Sequence, residues 1–592
     1  MSTGVSGDRR PDVSPRTQQQ AAMDAPRSAR LPALLRSLST SAGRARGLRI
    51  AALTSALAVP VAALGCELIL GIEDIELGTP PSGCWDANGN GGRGCYRAGD
   101  PGCPLESEDP AEMHSRIINA CSAASCVPFT AELTKLGGST SLPSLPPGSG
   151  SGGAGGSGNA GGSGGVGGSG GVAGSGGGSG GAGGSGGGSG GEAGSGGGTG
   201  GSGGGSPAVK CSDVVDPNLP RVYMAGSNAV VQLLRKAAPI LSGPDVENPA
   251  VLIYQPLSSC EGFEKVAYNK TITGTATYYV TPVDPTDTGD RTCELDKAGN
   301  FVDIGTCDVF AGTCTTSVLG NDFADYGSGP IQAMTLVVPS KSTQKVLSRE
   351  AAYLVYGFGS GSEVAPFTDE ARILQRDNKS GTKRMIAPAI DVPYDRWKGK
   401  VLSGTSVMKA ELLAANNEGG SAADATLGIL DVTNDDDAKD YLKILAFQGE
   451  GQTCGFWPDS EPDSEDKKNV RDGHYVIWGP LHFFVKASNK NPTNPTATDA
   501  VNYLTGFRPL PNEKFAFTMV SLQAKGELVP RCAMRVDRTT ELGELKPYTT
   551  DFPCGCYFEK EVTGEAKGCK PCSGDAECGD SEVCSFDFCE RR

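Results

Sequence analysis

The sequence predicts an α/β architecture, on three observations. Residues 207 to about 553 alternate strand-like apolar runs with helical patterns, an order that builds largely parallel sheets covered by helices. Small hydroxyl residues recur where a strand pattern gives way to a helix pattern. Residues 148–206 are almost wholly Gly, Ser and Ala and hold 37 of the 86 glycines, so they cannot bury a core. They read as a flexible tether that splits the chain in two, with a root-mean-square span of roughly 40 Å.

RVYMAG (221–226) reads as a strand leading to a helix over SNAVVQLLRKAAPIL. VLIYQPL (251–257) is a second strand, with a helix opening near Ser258 and Ser259. FVDIGTCDVF reads as a strand and a turn bearing Asp308, and IQAMTLVVP as a buried strand followed by the helix LSREAAYLVYGF. The apolar residues Ala371, Ile373 and Leu374, the stretch RDNKSGT (376–382) and then Met385, Ile386 and Ala387 read as strand, turn and helix, the helix opening at or just after Ser380. ATLGILDV is a strand, YVIWGPLHFFV (475–485) a long apolar strand, and TDAVNYLTGF a helix.

Four strand-to-helix turns thus carry polar groups: Ser227, Ser258 and Ser259, Asp308, and Ser380 with Gly381 and Thr382. Ligands in open α/β sheets sit beyond the carboxyl ends of the strands, where such loops converge. A helix start offers unpaired N–H groups and the positive end of its dipole. Arg376 adds a planar fork for two oxygens of a carboxylate or phosphate. Each serine taken singly also reads as an ordinary helix cap.

The formal charge of −16, without a basic stripe, argues against nucleic acid as a partner, so an anion site has to be local. Arg44, Arg46 and Arg49 precede the apolar run IAALTSALAVPVAAL, which suits a signal peptide better than a membrane span. The run ends at Leu64-Gly65-Cys66, which resembles a bacterial lipobox with Cys66 as the lipidated mature N-terminus; an ordinary cleaved signal is the alternative. The organisation expected is a leader (1–65), a small cysteine-rich module (66–147), the tether, an α/β domain (207–553) and a cysteine-rich C-terminal module (554–592). Twenty cysteines in an exported chain point to disulfides. Zinc is the rival reading at Cys569-x-x-Cys572, but only three histidines exist and none is nearby. With Cys66 lipidated, 19 cysteines remain, leaving at least one free or paired between chains. No metal or cofactor site is expected, and Asn434–Asp437 (NDDD) reads as a solvated turn.

The order of these segments over most of 220–510 resembles the periplasmic phosphate-binding proteins of ABC transporters, of the two-lobed type II periplasmic-binding-protein fold. Arg376-x-x-x-Ser380-Gly381-Thr382 is similar to that family's R-x-D-G-S-G-T spacing, Tyr254-Gln255-x-x-Ser258-Ser259 to its YQ-x-x-GS turn, and Gly305-Thr306-Cys307-Asp308 to its G-A-S-D turn. The resemblance implies two lobes, the second over about 341–478, closing on an oxyanion, inorganic phosphate first. Arg376, Ser380, Gly381 and Thr382 would bind it from one lobe, Ser227 and Ser259 from the other. Asp308 would accept the proton phosphate keeps near neutral pH, so that fully ionised sulfate is rejected. It also implies a permease of the ABC type as partner, and uptake or sensing as the role. The sequence departs from the family at Asn378, where an acidic residue is usual, at Glu261, where glycine is, and at Cys307, where serine is. Two rivals stand beside this reading: a lipoprotein using the fold as a ligand-free interaction module, and a serine hydrolase. The hydrolase lacks a placed base, since His114, His474 and His482 read as structural.

Overall fold

The computed structural model describes residues 84–86, 95–97, 103–127, 142–146 and 209–591, apart from 245, 318–319, 328, 436–437 and 507–512. In the first lobe, β1 (Arg221–Gly226) passes through a short turn at Asn228–Val230 into α1 (Val231–Leu241). Leu233, Leu234, Ala237, Ala238 and Leu241 recur at helical spacing and are buried, which fixes the face α1 lays on the sheet. Then come β2 (Val251–Pro256), α2 (Ser259–Ala267), the hairpin of β3 (Thr275–Tyr279) and β4 (Asp290–Glu294), β5 (Ile304–Cys307) and β6 (Phe323–Tyr326). β7 (Ile331–Pro339), buried along its whole length, carries the chain into the second lobe. That lobe contains α3 (Arg349–Phe358), β8 (Leu374–Arg376), α4 (Gly381–Ala389), α5 (Thr405–Glu418), β9 (Gly428–Asp431) and β10 (Leu442–Ile444). β11 (Trp478–Pro480) and β12 (His482–Ser488) bring it back.

The first-lobe sheet runs β6-β12-β5-β1-β2-β3-β4, and the second-lobe sheet β9-β7-β10 with β11 also on β7. The architecture is α/β, as the sequence predicts, but the sheets are mixed rather than largely parallel. Only β1 pairs in parallel with β2 and β5 in the large sheet, and every partner of β7 is antiparallel. A tight hairpin and a returning strand each reverse direction, and apolar alternation does not reveal either. The expected long strand over 475–485 is likewise two strands. β11 pairs with β7, while β12 pairs with β5 and β6, so the break at Leu481 is the crossing between the sheets. A third crossing lies beside it, where Ile331 and Val529 exchange backbone hydrogen bonds at 2.7 and 2.9 Å.

Among the described residues, eighteen cysteines form nine disulfides, and Cys307 is a buried free thiol. The C-terminal cysteines pair as Cys556–Cys569, Cys572–Cys584 and Cys578–Cys589, the disulfide rather than the zinc arrangement. Cys66, the leader and the Gly- and Ser-rich run lie outside the described residues; the flanks of that run do not. Before it, Cys126 is bonded to Cys454 and Cys126–Val127 adds a strand beside Gly455–Phe456. Ile117 and Ile118 of the helix Pro110–Ile118 enter the main core. The Tyr353 hydroxyl donates to Pro143 O at 2.5 Å and the Arg396 guanidinium to Pro146 O, so residues 142–146 lie along the second lobe. After it, Cys211 is bonded to Cys293 of β4 in the first lobe. The segment before the run thus lies along the second lobe and the segment after it is bonded to the first. Among the described residues no helix is long and apolar enough to cross a membrane.

Cys126–Cys454 spans a sequence separation of 328. Replacing both cysteines by serine should cost about 2–5 kcal/mol. A denaturant midpoint unchanged in the double variant would show that this disulfide adds nothing to stability.

Candidate anion-binding site

Ser227 follows β1 and caps the next turn, its hydroxyl oxygen accepting the Ala229 N–H at 3.2 Å. Gly226 before it has φ of +139°, and a Cβ there would lie 2.0 Å from Thr306 O, so only glycine lets β1 meet β5 at this end. Ser259 opens α2, and its hydroxyl donates to Asp308 Oδ2 at 2.6 Å. Asp308 follows β5, the parallel neighbour of β1, which is why the three residues converge. Its carboxylate also takes a hydrogen bond from Ser227, and Gln332 Nε2 donates to Oδ1 at 2.8 Å. Burial pushes the Asp308 carboxyl above the usual carboxylate range, and these three donors oppose that push.

From the second lobe, β8 ends on Arg376, which is 8% exposed. Its Nη1 donates to Thr405 Oγ1 at 2.9 Å and its Nη2 lies 3.9 Å from Asp377. Nε is buried without a hydrogen-bond partner. Burial lowers the Arg376 pKa, while Asp377, Asp431 and Asp308 counter it through their charges. Ser380 caps α4, accepting the Lys383 N–H at 3.5 Å, and Gly381 and Thr382 form its first buried turn. The turn is pressed against the first lobe: a Cβ on Gly381 would lie 2.5 Å from both Asp308 Oδ2 and Ser259 Oγ. All seven residues singled out from the sequence are thus brought to one place, at the meeting of the two lobes.

The lobes are latched around it. The Cys260 N–H donates to Lys379 O at 3.3 Å, Ser258 Oγ to Asp377 Oδ1 at 3.5 Å, and Lys379 pairs with Glu264 at 3.5 Å. The Arg384 guanidinium donates to Thr313 O across the same seam. Asn378, at the position where the resemblance leads one to expect an acid, accepts from Lys383 Nζ at 2.7 Å. Burial pulls Lys383 down to about 8. Glu261 is half-buried in the first turn of α2, and the carboxylates acting on Arg376 are Asp377, Asp431 and Asp308. Cys307 is buried, its Sγ 3.6 Å from that of Cys314. The histidines have structural partners: His114 accepts the Leu545 N–H, His474 bonds Ala120 O, and His482 pairs with Asp325.

Sequence reasoning missed Gln332, Lys383, Arg384, Thr405 and Asp431. Two left a signal. Gln332 is a polar residue inside the buried run IQAMTLVVP, where an unpaired amide is costly, and Asp431 stands at the carboxyl end of a strand. Chemically, the site joins buried donors and a guanidinium in one lobe to a carboxylate in the other that takes three hydrogen bonds and keeps acceptor capacity for a fourth, a combination that suits an oxyanion carrying a proton.

No family model and no curated protein matches the chain. Solved structures similar to it include an ABC-type phosphate transport receptor from Vibrio cholerae, 14% identical at a TM-score of 0.33 over 52% of this chain and 99% of that one. A putative phosphate ABC transporter substrate-binding protein with bound phosphate from Clostridium perfringens is 11% identical at 0.34, over 52% and 99%. The reduced OxyR regulatory domain from Pseudomonas aeruginosa is 8% identical at 0.28, over 49% and 98%.

The fit at Gly381 gives a direct test. Gly381→Ala should destabilise the protein by about 1–3 kcal/mol, because the methyl group meets Asp308 and Ser259. Gly361→Ala, with open space around the new carbon, should stay within about 0.5 kcal/mol of wild type. Equal denaturant midpoints for the two variants would refute the close seam.

Proposed function

We propose that this chain is a lipid-anchored extracytoplasmic solute-binding protein that binds an oxyanion, inorganic phosphate, for ABC-type uptake or sensing. Cys66 carries the lipid and places the protein on the membrane facing the periplasm or the cell surface; a permease is its partner, and it catalyses no reaction. The observation that carries this reading is Arg376, a buried guanidinium with an unpartnered Nε, set beside the first turn of α4 and within electrostatic reach of Asp308. A cation held in that way is stabilised by an anion between the lobes. Asp308 selects for an anion that still carries a proton, because its ionised oxygens repel one that does not.

A second reading is favoured by a specific observation. The Ser259 hydroxyl is donated to Asp308 and the Cys260 N–H to Lys379 O, so donors suited to an anion are satisfied within the protein. A surface lipoprotein using the closed lobes as an interaction module would need no ligand to hold them.

Thermal unfolding with phosphate, with sulfate and without anion separates the two. Phosphate at 100 times its dissociation constant should stabilise the protein by about 2.7 kcal/mol. Sulfate should be inert, and Arg376→Ala should abolish the phosphate shift. A well-folded protein that none of these anions stabilises would point to the interaction module instead.

A further inference from the structure

Behind the anion seam lies a second polar cluster that the oxyanion reading leaves unused. The loop after β5 begins with Asp308 and continues through Phe310 to Thr313. Two groups anchored on the second-lobe side hold it. Arg384 donates to Thr313 O. Glu541 Oε2 accepts the Phe310 N–H at 3.2 Å and the Thr313 hydroxyl at 3.4 Å. The segment bearing Glu541 is tied to the second lobe, since Arg538 Nη1 donates to Val476 O at 3.0 Å and the Arg535 N–H to Arg471 O at 3.0 Å. Glu541 Oε1 is buried with no hydrogen-bond partner, as are His482 Nε2 and Arg538 Nε nearby.

We propose that Glu541 is a positioning residue for the Asp308 loop, fastening it from the second lobe when the cleft is closed, and that closure makes Glu541 take up a proton. The charged and titratable groups facing it are His482 of β12, itself paired with Asp325 of β6, the Arg538 guanidinium, and the Cys307 thiol at the end of β5. Burial outweighs the help of His482 and Arg538 and pushes the Glu541 carboxyl up to about 7. Its two loop partners belong to the other lobe, so hinge opening separates them and exposes the carboxylate to water. Between the ordinary glutamate range and about 7 the closed form therefore holds a proton that the open form releases, and closure is favoured as pH falls through 7. Rising pH works the other way: the unfolded or open chain ionises first, and the closed form loses stability until Glu541 is ionised in both. The loss should approach on the order of a hundredfold in the equilibrium constant.

This inference rests on the oxyanion reading only for its ligand measurement, so the experiment has two arms. Wild type, Glu541→Gln and Thr313→Val are compared as the full chain from pH 5 to 8.5. In the ligand-free arm, unfolding is followed by denaturant. Wild type should lose stability relative to Glu541→Gln as pH rises from 5 to 7, with the difference constant above 7.5; glutamine keeps the acceptor and cannot ionise. In the ligand arm, the ratio of phosphate affinities of wild type to Glu541→Gln at each pH cancels the protonation of phosphate itself, and should fall at least tenfold between pH 5.5 and 8. Thr313→Val, which keeps Glu541, should weaken phosphate at every pH, and its own affinity ratio to Glu541→Gln should fall with pH as the wild-type ratio does. If phosphate binds no variant, the oxyanion reading fails, and the ligand-free arm alone decides the proton linkage. A wild-type-to-Gln stability difference that does not change with pH overturns the proposal whatever phosphate does.

Discussion

A carboxylate removed from water has to be held by donors, and the meeting of the two lobes depends on how Asp308 meets that demand. Its three donors come from three chain segments: Ser227 after β1, Ser259 at the start of α2, and Gln332 on the strand that crosses between the lobes. An unsatisfied buried acceptor costs about 1–3 kcal/mol, so each donor constrains the segment that carries it. The bond from Gln332 ties the first-lobe loop directly to the crossing strand, and the remaining Gln332 oxygen is buried without a partner. Movement of that strand therefore bears on Asp308 without passing through intermediate packing.

The opposite face of the seam is built on closeness instead of charge pairing. Gly381 fits against Asp308 and Ser259 because it has no side chain, and the backbone of α4 is thereby brought to the first lobe. Arg376 cannot complete its bonding there. Thr405 takes one Nη1 hydrogen bond, Asp377 is at the limit of an ion pair, and Nε is left over. One lobe thus holds its charge with three donors, and the other has a cation short of acceptors. The imbalance runs across the cleft, in the direction that an anion between the lobes would correct.

The local elements of this fold were legible in the sequence. The helix starts at Ser227 and Ser380 follow from capping chemistry, and each serine accepts the backbone N–H that capping requires. The convergence of Ser259 and Asp308 was legible from strand-to-helix order, but that the Ser380 turn meets them from a second lobe followed only from the family resemblance. Pairing direction was not, because an antiparallel and a parallel neighbour ask the same alternation of a strand. The placement of the cysteine-rich segments was not legible either. Cys126 and Cys454 are separated by 328 positions, and nothing local to either predicts the partner. Lys383 and Arg384 stand in plain sight after Thr382, but their burial depends on Trp397 and Tyr394, over whose rings they lie.

The chain path limits how the lobes can move. β7, the β11–β12 junction and the Ile331–Val529 contact lie side by side at the boundary between the sheets. Each further strand at a hinge must absorb the same rotation, so three crossings restrict opening more than two would. Glu541 sits just past the third crossing and reaches back to the loop that carries Asp308. The C-terminal segment that adds this crossing also supplies a second hold on that loop. An opening large enough to admit a ligand has to break the Glu541 bonds together with those of Arg384, Lys379 and Cys260, and the burial that makes the Glu541 charge costly is relieved once water reaches it.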